Sequence, residues 1–286
     1  MTEPDAVSTY QHVLYRVEDR IAHLTLNRPE QRNALSTELR REIVDALQVA
    51  ERDDEVALIL ISGAGPSFCS GYQLQPDPEG PRNDWPGSIF NSWTDQFARS
   101  CYRDWMTIFD LLKPVVAKVH GYCLAGGTEL MSMCDIVFAA DDAVIGHPPM
   151  RAMATPDVPY FPWKMSMARA KYLQLTGNTV SGKEAAEFGW VVKSFPPDQL
   201  DAEVMRELRP MAQISPGMLA ANKASLNQAY EAMGIRSALK NGWMMHSLSV
   251  AFRPDSRQFA KIAEAEGLRA ALDWMNGAFQ REGFPM

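Results

Sequence analysis

The chain has 286 residues, 46% of them hydrophobic and 22% charged, with a formal net charge of −7. That profile belongs to a globular protein with one sizeable core, and the acidic balance with scattered Lys and Arg argues against a nucleic-acid partner. No apolar run approaches the roughly 20 residues of a membrane span, and MTEPDAVSTY at the start has no apolar centre, so neither membrane insertion nor a secretory signal is expected.

Residues 12–27, HVLYRVEDRIAHLTLN, read as two β-rich segments joined in a hairpin. Ser36 or Thr37 then caps a helix whose apolar positions Leu39, Ile43, Leu47 and Ala50 keep helical spacing. VALILIS (56–62) is a continuous apolar run, as expected of a strand buried on both faces. GAGPSFCSGYQLQ (63–75) follows as a turn-rich connection, and residues 76–92, dense in Pro, Gly, Asp and Asn, read as an excursion loop. A helix with Phe97, Cys101, Trp105, Ile108 and Leu112 on one face precedes a second buried strand, PVVAKV (114–119). DIVFAA (135–140) and AVIGH (143–147) are further strands, which makes an α/β core with crossover helices.

From about residue 163 the texture turns helical. Ser181 to Glu184 form a capping-box pattern opening a short helix that Gly189 stops, and WVVKSF (190–195) reads as a short strand. Helices are expected near 198–213, 216–233 and 236–252, with a last one before the C-terminus. The division that follows is a core over 1–195 and a helical region over 196–286. Cys69, Cys101, Cys123 and Cys134 show no CxxC pairing and read as reduced, packed, cytosolic thiols. His120 stands three residues before Cys123 but no second ligand pair follows, so no metal is expected.

Between the second buried strand and DIVFAA lies HGYCLAGGTELMSMCDI (120–136). A helix opening near Gly126 aims unpaired N–H groups and a partial positive charge into a cleft, and its glycines let a ligand approach the backbone. Glu129 falls in that first turn; by spacing alone it is as readily an ordinary dipole-stabilised acid as a functional one.

This segment resembles the signature of the crotonase (enoyl-CoA hydratase/isomerase) superfamily, and other stretches agree in the same order: LTLNRPEQRNAL (24–35), GPSFCSGYQL (65–74), ARAKYLQLTGNTVSGKEAAEFGWVVKSF (168–195) and EGLRAALDWMNGAF (266–279). The resemblance implies a ββα spiral core and a helical C-terminal region that assembles trimers, often paired into hexamers. It implies an acyl-CoA thioester substrate in fatty acid metabolism in the cytoplasm, with no cofactor beyond the CoA of the substrate. By residue-wise match, the N–H groups of Tyr72 and Gly126 form an oxyanion hole for a thioester enolate, Glu129 is the acid/base, and Arg28, Gln73 and Leu74 line the CoA region. Arg28 also reads as a solvated loop cation. The family usually has a small residue where Tyr72 stands and an aspartate where Gln73 stands.

Hydratases of the superfamily use two glutamates, and the second position falls on Pro149, which has no proton to give. Asp157 falls where dienoyl-CoA isomerases and aryl-CoA dehalogenases carry an aspartate, and His147 where carbon–carbon-cleaving members use a His/Asp pair. Read from their neighbours alone, Asp157 is a turn acid and His147 a strand-end histidine. Tyr160, Phe161, Trp163 and Met165, with Trp243, Met244 and Met245, fit either an acyl pocket or core packing. Three readings follow: hydration or dehydration of an enoyl-CoA, a thioester isomerase or hydrolase using Glu129 with Asp157 and His147, or a non-catalytic acyl-CoA-binding protein.

Overall fold

A computed structural model describes residues 10–74, 96–251 and 254–284; the expected excursion loop at 76–92 lies outside the described residues. The hairpin forms as read. Strands β1 (Val13–Glu18) and β2 (Ile21–Leu26) pair antiparallel, and the two linking residues, Asp19 (φ 52°) and Arg20 (φ 64°), take the left-handed conformation that matches the twist of the strands. Helix α1 (Thr37–Arg52) is capped by Ser36, whose Oγ accepts from Leu39 N at 3.1 Å.

Strands β3 (Leu58–Gly63) and β4 (Val115–Val119), then β6 (Ile136–Ala140) and β9 (Lys193–Phe195), continue a six-stranded sheet in the order β1-β2-β3-β4-β6-β9, parallel from β2 onward. A second sheet joins β5 (Tyr122–Leu124), β7 (Val144–Gly146) and β8 (Thr179–Ser181). Helix α2 (Gln96–Asp110) follows β3 in the described chain, and α3 (Gly126–Met133) joins β5 to β6. After two short helices, α4 (Phe161–Lys164) and α5 (Met167–Thr176), α6 (Gly182–Phe188) begins at the capping box, with Ser181 N donating to Glu184 Oε2 at 2.8 Å and Gly189 closing it at φ 81°. The C-terminal region is α7 (Leu200–Ala212), α8 (Pro216–Ala232), α9 (Ile235–Ala251), α10 (Pro254–Glu266) and α11 (Leu268–Arg281). Lys223 on α8 ties that region to the core, donating to Asp135 Oδ2 (2.7 Å), Ile108 O (2.9 Å) and Lys113 O (3.2 Å).

Three expectations need correction. Leu112 is not on the buried face of α2: the helix ends at Asp110 because the Glu51 carboxylate takes the Leu112 and Lys113 N–H groups, and Leu112 stands 56% exposed. Only Lys193–Phe195 of WVVKSF is strand, since the Trp190 and Val191 N–H groups bond Ala185 O at the end of α6. Helix α10 was not expected; it packs Phe259, Ile262 and Ala263 against α11 in a small core of its own. All four cysteines are buried free thiols.

Candidate active site

Two chain segments are laced together beside β5. Cys69 N donates to Tyr122 O and Leu124 N to Cys69 O, both at 3.0 Å, so the loop before Tyr72 runs parallel to β5. On its other side Leu35 N donates to Gly71 O (2.8 Å) and Gln73 N to Leu35 O (3.1 Å). Gly71 turns at φ 106°, and a Cβ there would meet Ala125 Cβ at 2.7 Å while standing 3.5 Å from Gly126 N. The peptide units leading to Tyr72 and Gly126 therefore converge. The main-chain bonds of these turns, among the described residues, use the Leu35, Gln73, Ala125, Thr128 and Glu129 N–H groups and neither Tyr72 N–H nor Gly126 N–H.

The glycine pair before Glu129 has a steric cause. A Cβ on Gly126 would lie 2.7 Å from the Tyr72 ring, and one on Gly127 would lie 2.7 Å from Cys69 O. Ala125 between β5 and α3 sits at φ 49°, ψ −122°, a conformation costly for a residue with a Cβ. Its N–H bonds Gly146 O (3.0 Å), and its carbonyl accepts from Thr128 N and Thr128 Oγ1 (2.9 and 2.6 Å), which hold it there.

Glu129 is fully buried. Its Oε2 accepts from the Tyr72 hydroxyl at 2.7 Å and its Oε1 from Asp157 N at 3.0 Å. Trp105 Nε1, which can only donate, bonds the Tyr72 oxygen at 2.9 Å and so orients the phenol proton toward Glu129. Burial pushes the Tyr72 phenol well above its ordinary value, which keeps it a donor. Burial, and next the Asp157 carboxylate, push Glu129 well above the usual carboxylate range; the Tyr72 O–H, the Asp157 N–H and the Arg40 charge work in the opposite direction. Arg40 is itself buried, bonded to Asp104 Oδ2 at 2.5 Å and lying over Phe97, whose ring packs edge-on to Tyr72.

Asp157 is buried beside Glu129, and its imidazole neighbour is His246 on α9, with Nδ1 3.1 Å from Oδ1. His147 does not make that pairing. It lies buried with Nδ1 3.5 Å from Thr128 Oγ1, and burial, then His246, push it down to about 3. Such a ring stays neutral near pH 7. Pro149 is the second residue of a 3-10 turn (Pro148–Arg151), and its carbonyl accepts from Ala154 N at 3.1 Å, among others. Arg28 is not a solvated cation: it is buried, donating to Ala34 O and Gln73 Oε1 at 2.9 Å each and to Gln31 Oε1 at 2.5 Å, so it and Gln73 brace the two loops. Leu74 is 37% exposed at the described end of that loop. Tyr160 stacks on Trp190 and Phe161 packs tilted against both inside the core, so packing accounts for them.

Trp105, Arg40 and His246 were not recognised from sequence as members of this cluster. Trp105 left a faint signal, because a buried indole N–H on a helix face needs an acceptor. His246 left none.

If the phenol orients Glu129, then Tyr72→Phe raises the pH at which Glu129 ionises. A hydrogen bond to a charged group is worth about 1.5–3 kcal/mol, so the corresponding limb of the kcat/KM profile moves up by about one to two pH units. The Trp105 N–H loses its acceptor as well, costing about 1–3 kcal/mol in denaturant unfolding.

Residues 16–258 match the enoyl-CoA hydratase/isomerase family model, and the chain belongs to that family. It is 30% identical over 240 residues to hydroxycinnamoyl-CoA hydratase-lyase of Pseudomonas fluorescens, spanning 79% of this chain and 83% of that protein. The crystal structure of an enoyl-CoA hydratase from Mycobacterium smegmatis superposes with a TM-score of 0.86 at 29% identity, covering 96% of each chain. An enoyl-CoA hydratase/isomerase from Xanthobacter autotrophicus Py2 gives a TM-score of 0.84 at 33% identity, covering 94% of this chain and 99% of that one.

Proposed function

We propose that the protein hydrates or dehydrates an enoyl-CoA thioester through an enolate, with the Tyr72 and Gly126 N–H groups as its oxyanion hole and Glu129 and Asp157 dividing the proton transfers. One observation carries the reading: two buried acids from separate elements meet where two peptide amides converge. A developing enolate oxygen needs preorganised donors, and addition of water needs one acid and one base. Asp157 stands in for the carboxylate missing at Pro149. A second reading, isomerisation by a proton shift between the α- and γ-carbons, draws on the same Glu129–Asp157 contact, since such a shift needs two acids and no water.

Crotonyl-CoA distinguishes them. Loss of its enoyl absorbance with formation of 3-hydroxybutyryl-CoA supports hydration; turnover confined to 3-enoyl substrates supports isomerisation. Tight acyl-CoA binding with no product from any thioester would leave a binding protein. Asp157→Asn is expected to lower kcat by about 10²-fold or more, and a normal rate would remove Asp157 from the mechanism. The reading also takes residues 196–286 as the oligomerisation region of a cytoplasmic trimer or hexamer that needs no cofactor beyond CoA. Met218, Leu226 and Tyr230 stand exposed on α8, in keeping with a covered face, and light scattering tests the assembly.

A further inference from the structure

Helix α9 grips the loop that carries Asp157 at two points one turn apart. At Gly242 the helix comes so close that an added Cβ would meet Pro159 Cδ at 2.1 Å and Asp157 O at 3.0 Å. Four residues on, His246 Nδ1 lies 2.8 Å from Thr155 O and 3.1 Å from Asp157 Oδ1. A carbonyl oxygen can only accept, so Nδ1 bears a hydrogen in both the neutral and the charged ring. That hydrogen goes to Thr155 O, and the ring nitrogen carrying it stands 3.1 Å from Asp157 Oδ1, so the positive end of the N–H dipole lies beside that oxygen and favours the carboxylate. Glu129 accepts from the Asp157 backbone N–H at 3.0 Å, and the Asp157 charge bears on its carboxyl. Two carboxylates this close in a buried site do not both stay ionised.

We propose that His246 is a positioning residue for Asp157, and that through it helix α9 decides which of the two buried acids carries their single proton: Asp157 is held as the base and Glu129 as the acid. The assignment rests on the acyl-CoA reading above and gives it a direction. In hydration, Asp157 takes the proton of the attacking water as its oxygen bonds the β-carbon. The C=C electron pair passes to the thioester oxygen as an enolate, and Glu129 then delivers its proton to the α-carbon. One water is consumed, the enzyme's proton ends on Asp157, and its return to Glu129 resets the pair. The other groups bearing on Asp157 are Tyr72, Arg40 and Cys101, from the Gly71 loop, α1 and α2, and His147 bears on His246. Of these, Arg40 is the fixed cation, so its charge and the His246 N–H together oppose protonation of Asp157.

The test compares His246→Leu, which removes the donor but keeps bulk, with His246→Asn, whose amide N–H reaches the place of Nδ1. His246→Leu is expected to raise the acid limb of the kcat/KM profile by about one unit and to lower kcat about tenfold or more, with KM within about threefold. His246→Asn should restore the limb. A readout free of turnover is the protonated-carboxyl infrared band of the wild type near neutral pH: it should vanish in Glu129→Gln and persist in Asp157→Asn. In a His246→Leu background, Asp157→Asn should now remove part of it. A wild-type limb and band in His246→Leu, or a wild-type band that vanishes in Asp157→Asn, would overturn the proposal. If no thioester is turned over while the infrared pattern holds, the proposed reaction fails and the role of His246 stands.

Discussion

Replacing Glu129 by Gln is expected to lower kcat on the acyl-CoA substrate by about 10²–10⁴-fold while making the folded chain more stable at neutral and alkaline pH. Both effects have one cause. The carboxyl is fully buried, and burial with the neighbouring Asp157 raises its ionisation well above 4.5. The folded state therefore keeps a proton that the unfolded chain releases. Stability is fully present below about pH 4.5 and drains away as pH rises through the folded-state value. A glutamine cannot ionise; its Oε1 can still accept from Asp157 N, while its Nε2 would donate to the Tyr72 oxygen in place of accepting from it. Thermal melts of the two proteins should separate at pH 8 and close toward pH 4. A variant both inactive and less stable at every pH would mean that the carboxylate is structural.

Gly71→Ala should cost about 2–4 kcal/mol in denaturant unfolding and reduce kcat/KM by about 10²–10³-fold. The stability loss has two parts. Alanine is strained at φ 106°, and its Cβ would press on Ala125 Cβ at 2.7 Å and on Leu124 O at 3.0 Å. Because Ala125 already holds an unfavourable backbone conformation, relief of that pressure moves the start of α3 and with it Gly126 N–H. The Tyr72 and Gly126 amides then separate, and a developing oxyanion loses one of two donors. Equilibrium unfolding and steady-state kinetics on the same preparation check both parts. Wild-type activity in a destabilised Gly71→Ala chain would show that the two turns do not share a ligand.

Local signals served much of the core well. The hairpin, the buried strands β3 and β4, the cap at Ser36 and the box at Ser181 follow from short-range chemistry, and each stands where it was read. Misreadings came where a group outside the segment captured a backbone donor. Glu51 does so at the end of α2, and Ala185 O takes the N–H groups of Trp190 and Val191. Nothing in LLKP or WVVK encodes those partners.

The same division holds at the site. Gly126, Glu129 and the Gly71 turn were legible because a strand–turn–helix and a tight loop are local structures with compositional demands. The surroundings of Glu129 were not. Tyr72 reaches it across 57 positions, Asp157 N across 28, and His246 reaches Thr155, in the loop carrying Asp157, across 91.

The sequence by itself determined the family, the α/β core with its helical C-terminal region, and the presence of one acid at the mouth of a glycine-opened helix. Tertiary structure alone decided that this acid is buried, that a phenol and an indole point its lone pairs, and that a histidine from the C-terminal helices faces its neighbour. Propensities and caps act over a few residues and leave a trace in the chain. A buried charge is governed by whatever the packed fold brings within hydrogen-bonding distance, and that depends on every element at once.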